Sequence, residues 1–259
     1  MRRSFPPAIF LLLLILLCQD PGQAAMLRVQ VLEVFDGDTI RVSMPGGKQE
    51  TVRYIGIDTP ETHHPDRGVE ELGKEASKAN NELVFGRHVF LETDVEKRDR
   101  YGRMLAYVWI EKEGKIYMVN EILLRMGYAM PFTFPPNLKH TDIFREAFAR
   151  ARRENRGLWA RASERRFSPY QLWTFLPSLS GLFVTVEMVV KRVEESERRF
   201  TLLPSGGKTT LVIYKSDSPL FGPIGNYSGK RLTVVGKIVP GYAGPEIVIA
   251  DPVQILDVK

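Results

Sequence analysis

Val69-Glu70-Glu71-Leu72-Gly73-Lys74-Glu75-Ala76-Ser77-Lys78-Ala79-Asn80-Asn81-Glu82-Leu83-Val84-Phe85-Gly86 breaks the period of the chain around it. Val69, Leu72, Ala76, Ala79 and Leu83 fall on one face of a helix, and Gly86 supplies its stop. Both flanks read as strands. Upstream are Leu27–Val34, Asp38–Met44 and Glu50–Ile57, rich in Val, Leu and Ile, with Pro45-Gly46-Gly47 as a turn. Downstream are His88–Thr93 and Leu105–Ile110, the latter returning through Glu113-Gly114 to Lys115–Val119. Two more helices follow over Asn120–Met130 and Thr141–Asn155, the second with Ile143, Phe144, Ala147, Phe148 and Ala151 on its apolar face. A helix inserted between the third and fourth strands predicts a mainly β domain over 27–160, a five-stranded barrel of the OB type with three helices.

Further out, residues 161–180 mix Ser163, Ser168, Pro169, Pro177 and Ser178 with Phe167, Tyr170, Trp173 and Phe175, which reads as a partly packed linker. Residues 181–258 return to strands at Leu182–Val193, Arg199–Leu203, Thr209–Tyr214, Arg231–Val239 and Glu246–Ala250. Five short strands with a long connection before the fourth predict a second OB-like barrel.

Residues 1–25 have the layout of a secretory signal peptide: Arg2 and Arg3, an apolar run from Ile9 to Leu17, then Gly22-Gln23-Ala24. The run is far short of the roughly 20 residues that span a bilayer. Cleavage near Ala24/Ala25 would export the protein to a periplasm or medium, with an uncleaved anchor as the alternative. It would also remove Cys18, the one cysteine, which rules out thiolate metal sites and cysteine catalysis in the mature chain. The net charge of +5 suits a polyanionic partner without proving one.

Polar chemistry concentrates in three stretches. Val34-Phe35-Asp36-Gly37-Asp38-Thr39 lies at a strand boundary, Arg53-Tyr54-Ile55-Gly56-Ile57-Asp58-Thr59-Pro60-Glu61 runs from a strand into a proline-restricted turn, and Asp99-Arg100-Tyr101-Gly102-Arg103 leads into another strand. Each alone has a plain reading: an Asp-Gly turn, a helix start capped by Thr59, a charged turn. Together they set the carboxylates of Asp36, Asp38, Asp58 and Glu61 and the arginines Arg53 and Arg103 at strand ends, with no histidine or cysteine in the three stretches. Such oxygen donors suit Ca²⁺ or Mg²⁺ and not zinc. Arg53 inside an apolar strand makes sense if it points at an anion, and its planar fork can grip two phosphate oxygens.

In this order, Asp-Gly-Asp-Thr, Arg…Asp-Thr-Pro-Glu and Asp-Arg-Tyr-Gly-Arg-Met-Leu-Ala-Tyr resemble the three signatures of the staphylococcal nuclease family, and the likeness spans about residues 27–160 with His64-Pro65 and Val119-Asn120-Glu121 included. The resemblance implies an OB barrel with three helices and a calcium-dependent endonuclease for DNA and RNA with little sequence preference. It assigns the Ca²⁺ to the carboxylates of Asp38 and Asp58 and the main-chain carbonyl of Thr59, with Asp36 orienting the site from behind. Glu61 would hold the attacking water, and Arg53 and Arg103 would bind the phosphate and its developing charge. Hydrolysis would leave a 3′-phosphate and a 5′-hydroxyl. Phe132 and Phe134 stand where the family has a pair of tyrosines beside the nucleotide, able to stack on a base or else part of the core. Arg67 and Arg100 stand where lysines are familiar near the terminal phosphate. No obligate protein partner is implied, and a monomer is expected. A non-catalytic nucleic-acid-binding or envelope interaction protein is the alternative. The 181–258 block looks like OB-type domains appended to some nucleases, as a substrate holder or a structural accessory.

Overall fold

The computed structural model describes residues 26–62, 69–241 and 243–259. The signal-peptide reading, with Cys18, and the candidates Arg67 and His64-Pro65 lie outside the described residues. No helix among the described residues is long and apolar enough to cross a membrane.

The first domain is built on β1 (Leu27–Val34), β2 (Thr39–Ser43), β3 (Gln49–Tyr54), β5 (His88–Glu92) and β6 (Met104–Lys112). Strand alternation does the work here: Val29 and Val31 of β1 point inward while Arg28 and Gln30 face water. The antiparallel order β3-β2-β1-β5-β6 closes through a parallel pairing of β3 with β6, Val52 opposite Met104 and Arg53 opposite Leu105. Closure removes the free edges of the sheet. β7 (Lys115–Met118) extends the sheet beyond β6, and the short β4 (Gly56–Asp58) pairs with β8 (Met130–Phe132) beside the barrel.

Helix α1 (Gly73–Val84) links β3–β4 to β5 and is a turn shorter than its apolar period predicts. Val69 is exposed, and Leu72 adopts a left-handed φ of 62° that halts the helix. Residues 70–73 instead tie back to Glu61. Similarly, α2 (Val119–Arg125) ends five residues before the expected Met130. Gly127, at φ 76°, turns the chain so that Met130–Phe132 can pair as β8, and a Cβ there would meet the Arg156 carbonyl oxygen at 2.3 Å. α3 (Thr141–Arg153) packs Phe144, Ala147, Phe148 and Ala151 into the core as expected, but Ile143, expected on the same face, is exposed in its first turn.

The stretch expected to be a partly packed linker is regular structure throughout: α4 (Leu158–Glu164), β9 (Arg166–Phe167) and α5 (Pro169–Leu179). Leu172 is fully buried in the second core, and β9 pairs in parallel with β10. The packing is done by Leu172, with Phe167 and Leu179 against it, while Tyr170, Trp173 and Phe175 stay exposed.

The second domain contains β10 (Phe183–Glu195), β11 (Arg199–Pro204), β12 (Thr210–Tyr214), β13 (Arg231–Pro240) and β14 (Pro245–Val248). Its circuit β10-β11-β12-β14-β13 closes through β13 with β10, again with the third and fifth strands parallel. The two barrels thus share one strand order. β15 (Ile255–Val258), which no expected strand covers, adds to the edge of β13.

The two barrels are packed together. Phe183 and Val235 of the second are buried in the core of the first, with Phe183 edge-on to Trp159 at 6.1 Å. Asp251, fully buried, accepts from Arg145 Nε at 3.0 Å and from Thr133 Oγ1 at 2.7 Å.

Candidate active site

Asp38 and Arg53 are brought together by the register of β2 with β3, which sets Thr39 opposite Arg53. Arg53 Nη1 lies 2.8 Å from Asp38 Oδ2, and Nη2 lies 2.9 Å from Asp58 Oδ1. Nη1 also donates to the Ile57 carbonyl at 2.9 Å, which fixes the fork against β4. Asp38 Oδ2 further accepts from the Thr59 amide at 2.7 Å and the Thr59 hydroxyl at 2.9 Å. In this structure the anions that Arg53 faces are a pair of the protein's own carboxylates. No helix begins at Thr59; the segment from Pro60 to Thr62 is irregular.

The turn that delivers Asp38 is braced from behind. Asp36 Oδ1 accepts from the Asp38 amide at 3.0 Å, and the Asp36 carbonyl accepts from Asn80 Nδ2 at 2.9 Å. Asn80 Oδ1 in turn accepts from the Tyr54 hydroxyl at 2.9 Å. Gly37 leaves room for Thr59, since a Cβ there would sit 2.7 Å from Thr59 Oγ1. Asn120, also buried, accepts from the Val108 amide and donates to the Ile55 carbonyl, tying α2 to the strand pair.

Glu61 and Thr62 line an open cleft with Asp36 and Phe35. The Glu61 main chain is held on both sides by Glu70: the Glu61 amide donates to Glu70 Oε2 at 3.0 Å, and the Glu70 amide donates to the Glu61 carbonyl at 2.9 Å. Burial pushes the Asp38 carboxyl above its ordinary range, with Arg53 opposing. Asp58 is raised for the same reason against the same arginine, although its side chain is 40% exposed. Glu61 is raised by burial and then by Asp38 and Asp58. Burial works against the charge of Arg53, but Asp38 and Asp58 outweigh it and its pKa rises. Negative charge is thus crowded here beyond what one arginine neutralises.

Among the described residues no three His, Cys, Asp or Glu side chains gather closely enough to hold an ion by themselves. The donors at hand are all oxygen: the carboxylates of Asp38 and Asp58 and the Thr59 main chain. That set fits a hard cation of the Ca²⁺ or Mg²⁺ class, which takes main-chain and water ligands readily.

Arg103 and Arg100 form a separate group. Arg103 Nε lies 2.6 Å from Asp99 Oδ2, and Asp99 Oδ1 accepts the amides of Tyr101 and Arg103. Arg100 and Arg103 stack over the Tyr101 ring at 4.8 and 5.4 Å, and Tyr101 is 69% exposed. Arg103 precedes Met104, the partner of Val52, so it enters the sheet beside the strand that carries Arg53. Phe132 and Phe134 are 42% and 45% exposed, which leaves them outside the core. Phe132 pairs with Gly56, two residues from Asp58 on the neighbouring strand.

Sequence reading passed over Tyr54, Asn80, Asn120, Glu70 and Lys237. Asn80 carried a signal, a polar residue one turn after Ala76 on the buried helix face. Glu70 and Lys237 are 167 residues apart and carried none.

A closed five-stranded barrel with acids and an arginine gathered at its strand ends places the domain among OB-fold proteins. Residues 51–161 match the family described as Staphylococcal nuclease homologue. The chain is 41% identical over 131 residues to a thermonuclease of Staphylococcus hyicus, a match covering 51% of this chain and 75% of that protein. It is 40% identical over 131 residues to the thermonuclease of Staphylococcus intermedius, with the same coverage, and 39% identical over 143 residues to Endonuclease YncB of Bacillus subtilis (strain 168), covering 54% of this chain and 65% of that one. The chain belongs to the staphylococcal nuclease family. It is a hydrolase, a nuclease of that type.

Proposed function

We propose that the protein is an exported, calcium-dependent endonuclease that cuts DNA and RNA to 3′-phosphate products with little sequence preference. The observation that carries this is the network of Asp38, Arg53, Asp58 and Thr59 beside the cleft that Glu61 lines. The carboxylates of Asp38 and Asp58 and the Thr59 carbonyl would hold the ion, with Asp36 orienting the turn. When bound, Ca²⁺ would supply neutralisation of phosphate charge and a site for water. Arg53 and Arg103 bind the phosphate and offset the charge that develops on it. Glu61 accepts a proton from the water that attacks phosphorus, and its raised pKa suits that task. The bond to the 5′ oxygen breaks, that oxygen takes a proton from solvent water, and a 5′-hydroxyl and a 3′-phosphate remain. The exposed rings of Phe132 and Phe134 offer stacking surfaces to unpaired bases, and Arg67 and Arg100 supply charge for phosphate, which together favour single-stranded or frayed substrate. Export follows from the layout of residues 1–25. A monomer without an obligate protein partner completes the reading.

The test is incubation of the purified mature protein with DNA or RNA, in Ca²⁺, in Mg²⁺ with EGTA, or in EGTA alone, followed by end-group analysis. Cleavage in Ca²⁺, weak cleavage in Mg²⁺ and 3′-phosphate ends are expected, because Mg²⁺ demands near-octahedral geometry and holds its waters. Full activity in Mg²⁺ with EGTA defeats the calcium assignment. Arg53→Ala, Glu61→Gln and Arg103→Ala should each lower kcat about 100-fold or more.

A further inference from the structure

Lys237 belongs to β13 of the second barrel, opposite Phe183 on β10. With Gly181 and Phe183 it closes a small crevice whose other wall is Asp58, Thr59 and Pro60. Its Nζ donates to Glu70 Oε2 at 2.7 Å, the same oxygen that accepts the Glu61 amide at 3.0 Å. Glu70 is buried, so an ammonium from the second barrel supplies the charge partner that its carboxylate needs there. The neighbouring Glu71 is also anchored, with Arg165 Nη1 at 2.5 Å and Arg161 Nε at 3.5 Å. On the far side Gly73 packs so closely that a Cβ would lie 2.6 Å from the Glu61 carbonyl oxygen. The Glu61 backbone therefore has a fixed seat, and one leg of that seat comes from the other barrel.

We propose that Lys237 is a positioning residue for the nuclease reaction: through Glu70 it fixes the main chain of Glu61, making the second barrel part of the active site's support. The proposal rests on Glu61 serving as read above. It treats the Lys237–Glu70 pair as more than an interdomain bridge, because the bonded oxygen also carries the Glu61 amide. A hydrogen-bonded carboxylate with a fixed charge partner holds one rotamer and thereby one position for the loop it grips.

The full-length protein is compared with Lys237→Met, Glu70→Met, the double variant and Lys237→Arg, using a short single-stranded DNA oligonucleotide at saturating Ca²⁺, with Glu61→Gln as reference. Each Met variant should lose about tenfold in kcat, the size typical of residues that orient catalytic groups, with KM within about twofold. The double variant should be no worse than either single, as expected of two residues in one link. Lys237→Arg, which keeps the charge and the donor, should retain most of kcat. The double variant removes both charges of the pair together and remains informative if a single fails to fold. Wild-type kcat in it, with Glu61→Gln inactive, overturns the positioning role, as does a lowered melting temperature with kcat unchanged. A fully active Glu61→Gln instead removes the role of Glu61 on which the proposal stands.

Discussion

Removing Arg53 would strand two carboxylates. Asp38 is buried and is paired with Arg53 at 2.8 Å, so Arg53→Ala should cost about 3 to 5 kcal/mol of stability as well as activity. A cation can take over the neutralising task. Millimolar Ca²⁺ should therefore raise the thermal midpoint of Arg53→Ala more than that of the wild type, as read by circular dichroism against EGTA; equal shifts would disconnect the ion from these acids. Asp217 tests burial in isolation. Its carboxyl is pushed from 3.8 to about 6 by burial, against one hydrogen bond from Ser216. A raised carboxyl favours the fold fully below its unfolded pKa near 3.8, and that contribution is lost as pH rises through 6. Asp217→Asn should match the wild type near pH 4 and exceed it above pH 6 by up to about 3 kcal/mol in denaturant unfolding. A constant difference across that range would refute the assignment. At this scale Asp36, Asp38, Arg53, Asp58, Thr59 and Glu61 were legible because motifs hold them within a few residues of one another. Asn80 and Tyr54 support them through side-chain bonds that no local spacing displays.

The turn between β1 and β2 shows how an element delivers a residue. Asp-Gly was legible as a turn, but the need for glycine there is tertiary: the Gly37 Cα faces Thr59, not its own strand neighbours. Gly37→Ala should push Thr59 off Asp38 and lower kcat about tenfold, while Thr59→Ser in the same chain, with one fewer methyl in the way, should recover part of it. Activity equal to wild type in Gly37→Ala would show that the contact is slack. Strands were read nearly to their ends, either from alternation of inward and outward residues as in β1 or from a short continuous apolar run as in β12. Helix ends were read in part: Gly86 follows the end of α1 at Val84 and α3 starts at Thr141 as expected, but two ends were missed. Leu72 stops α1 by a left-handed turn, and Gly127 ends α2 because the main chain at Arg156 and Gly157 leaves no space for more. Both stops come from distant segments, which periodicity does not register.

At the scale of the whole molecule, the barrels share a strand order yet differ in what fills the connection before the fourth strand. The first uses helix α1, and the second uses short 3₁₀ turns over 218–220 and 224–227. The second barrel was legible as a fold, but its attachment was not, since Phe183, Val235, Lys237 and Asp251 look like ordinary strand and loop residues. A chain ending at Ser163 should lose the cover over Trp159, the partner of Arg145 and the brace on Glu70 at once. It should melt lower than the full chain and turn over even short oligonucleotides more slowly. Unchanged kcat and melting point would show the barrels to be independent. The clamp at Asp251 also sets a timetable. Thr133 waits for a partner 118 residues further along the chain, and Glu70 for one 167 residues on. A ribosome that has released only the first barrel has therefore released the catalytic motifs without their support. If Lys237 positions Glu61 as proposed, the nascent nuclease stays a blunt tool beside the cell's own nucleic acids until the second barrel has emerged and docked.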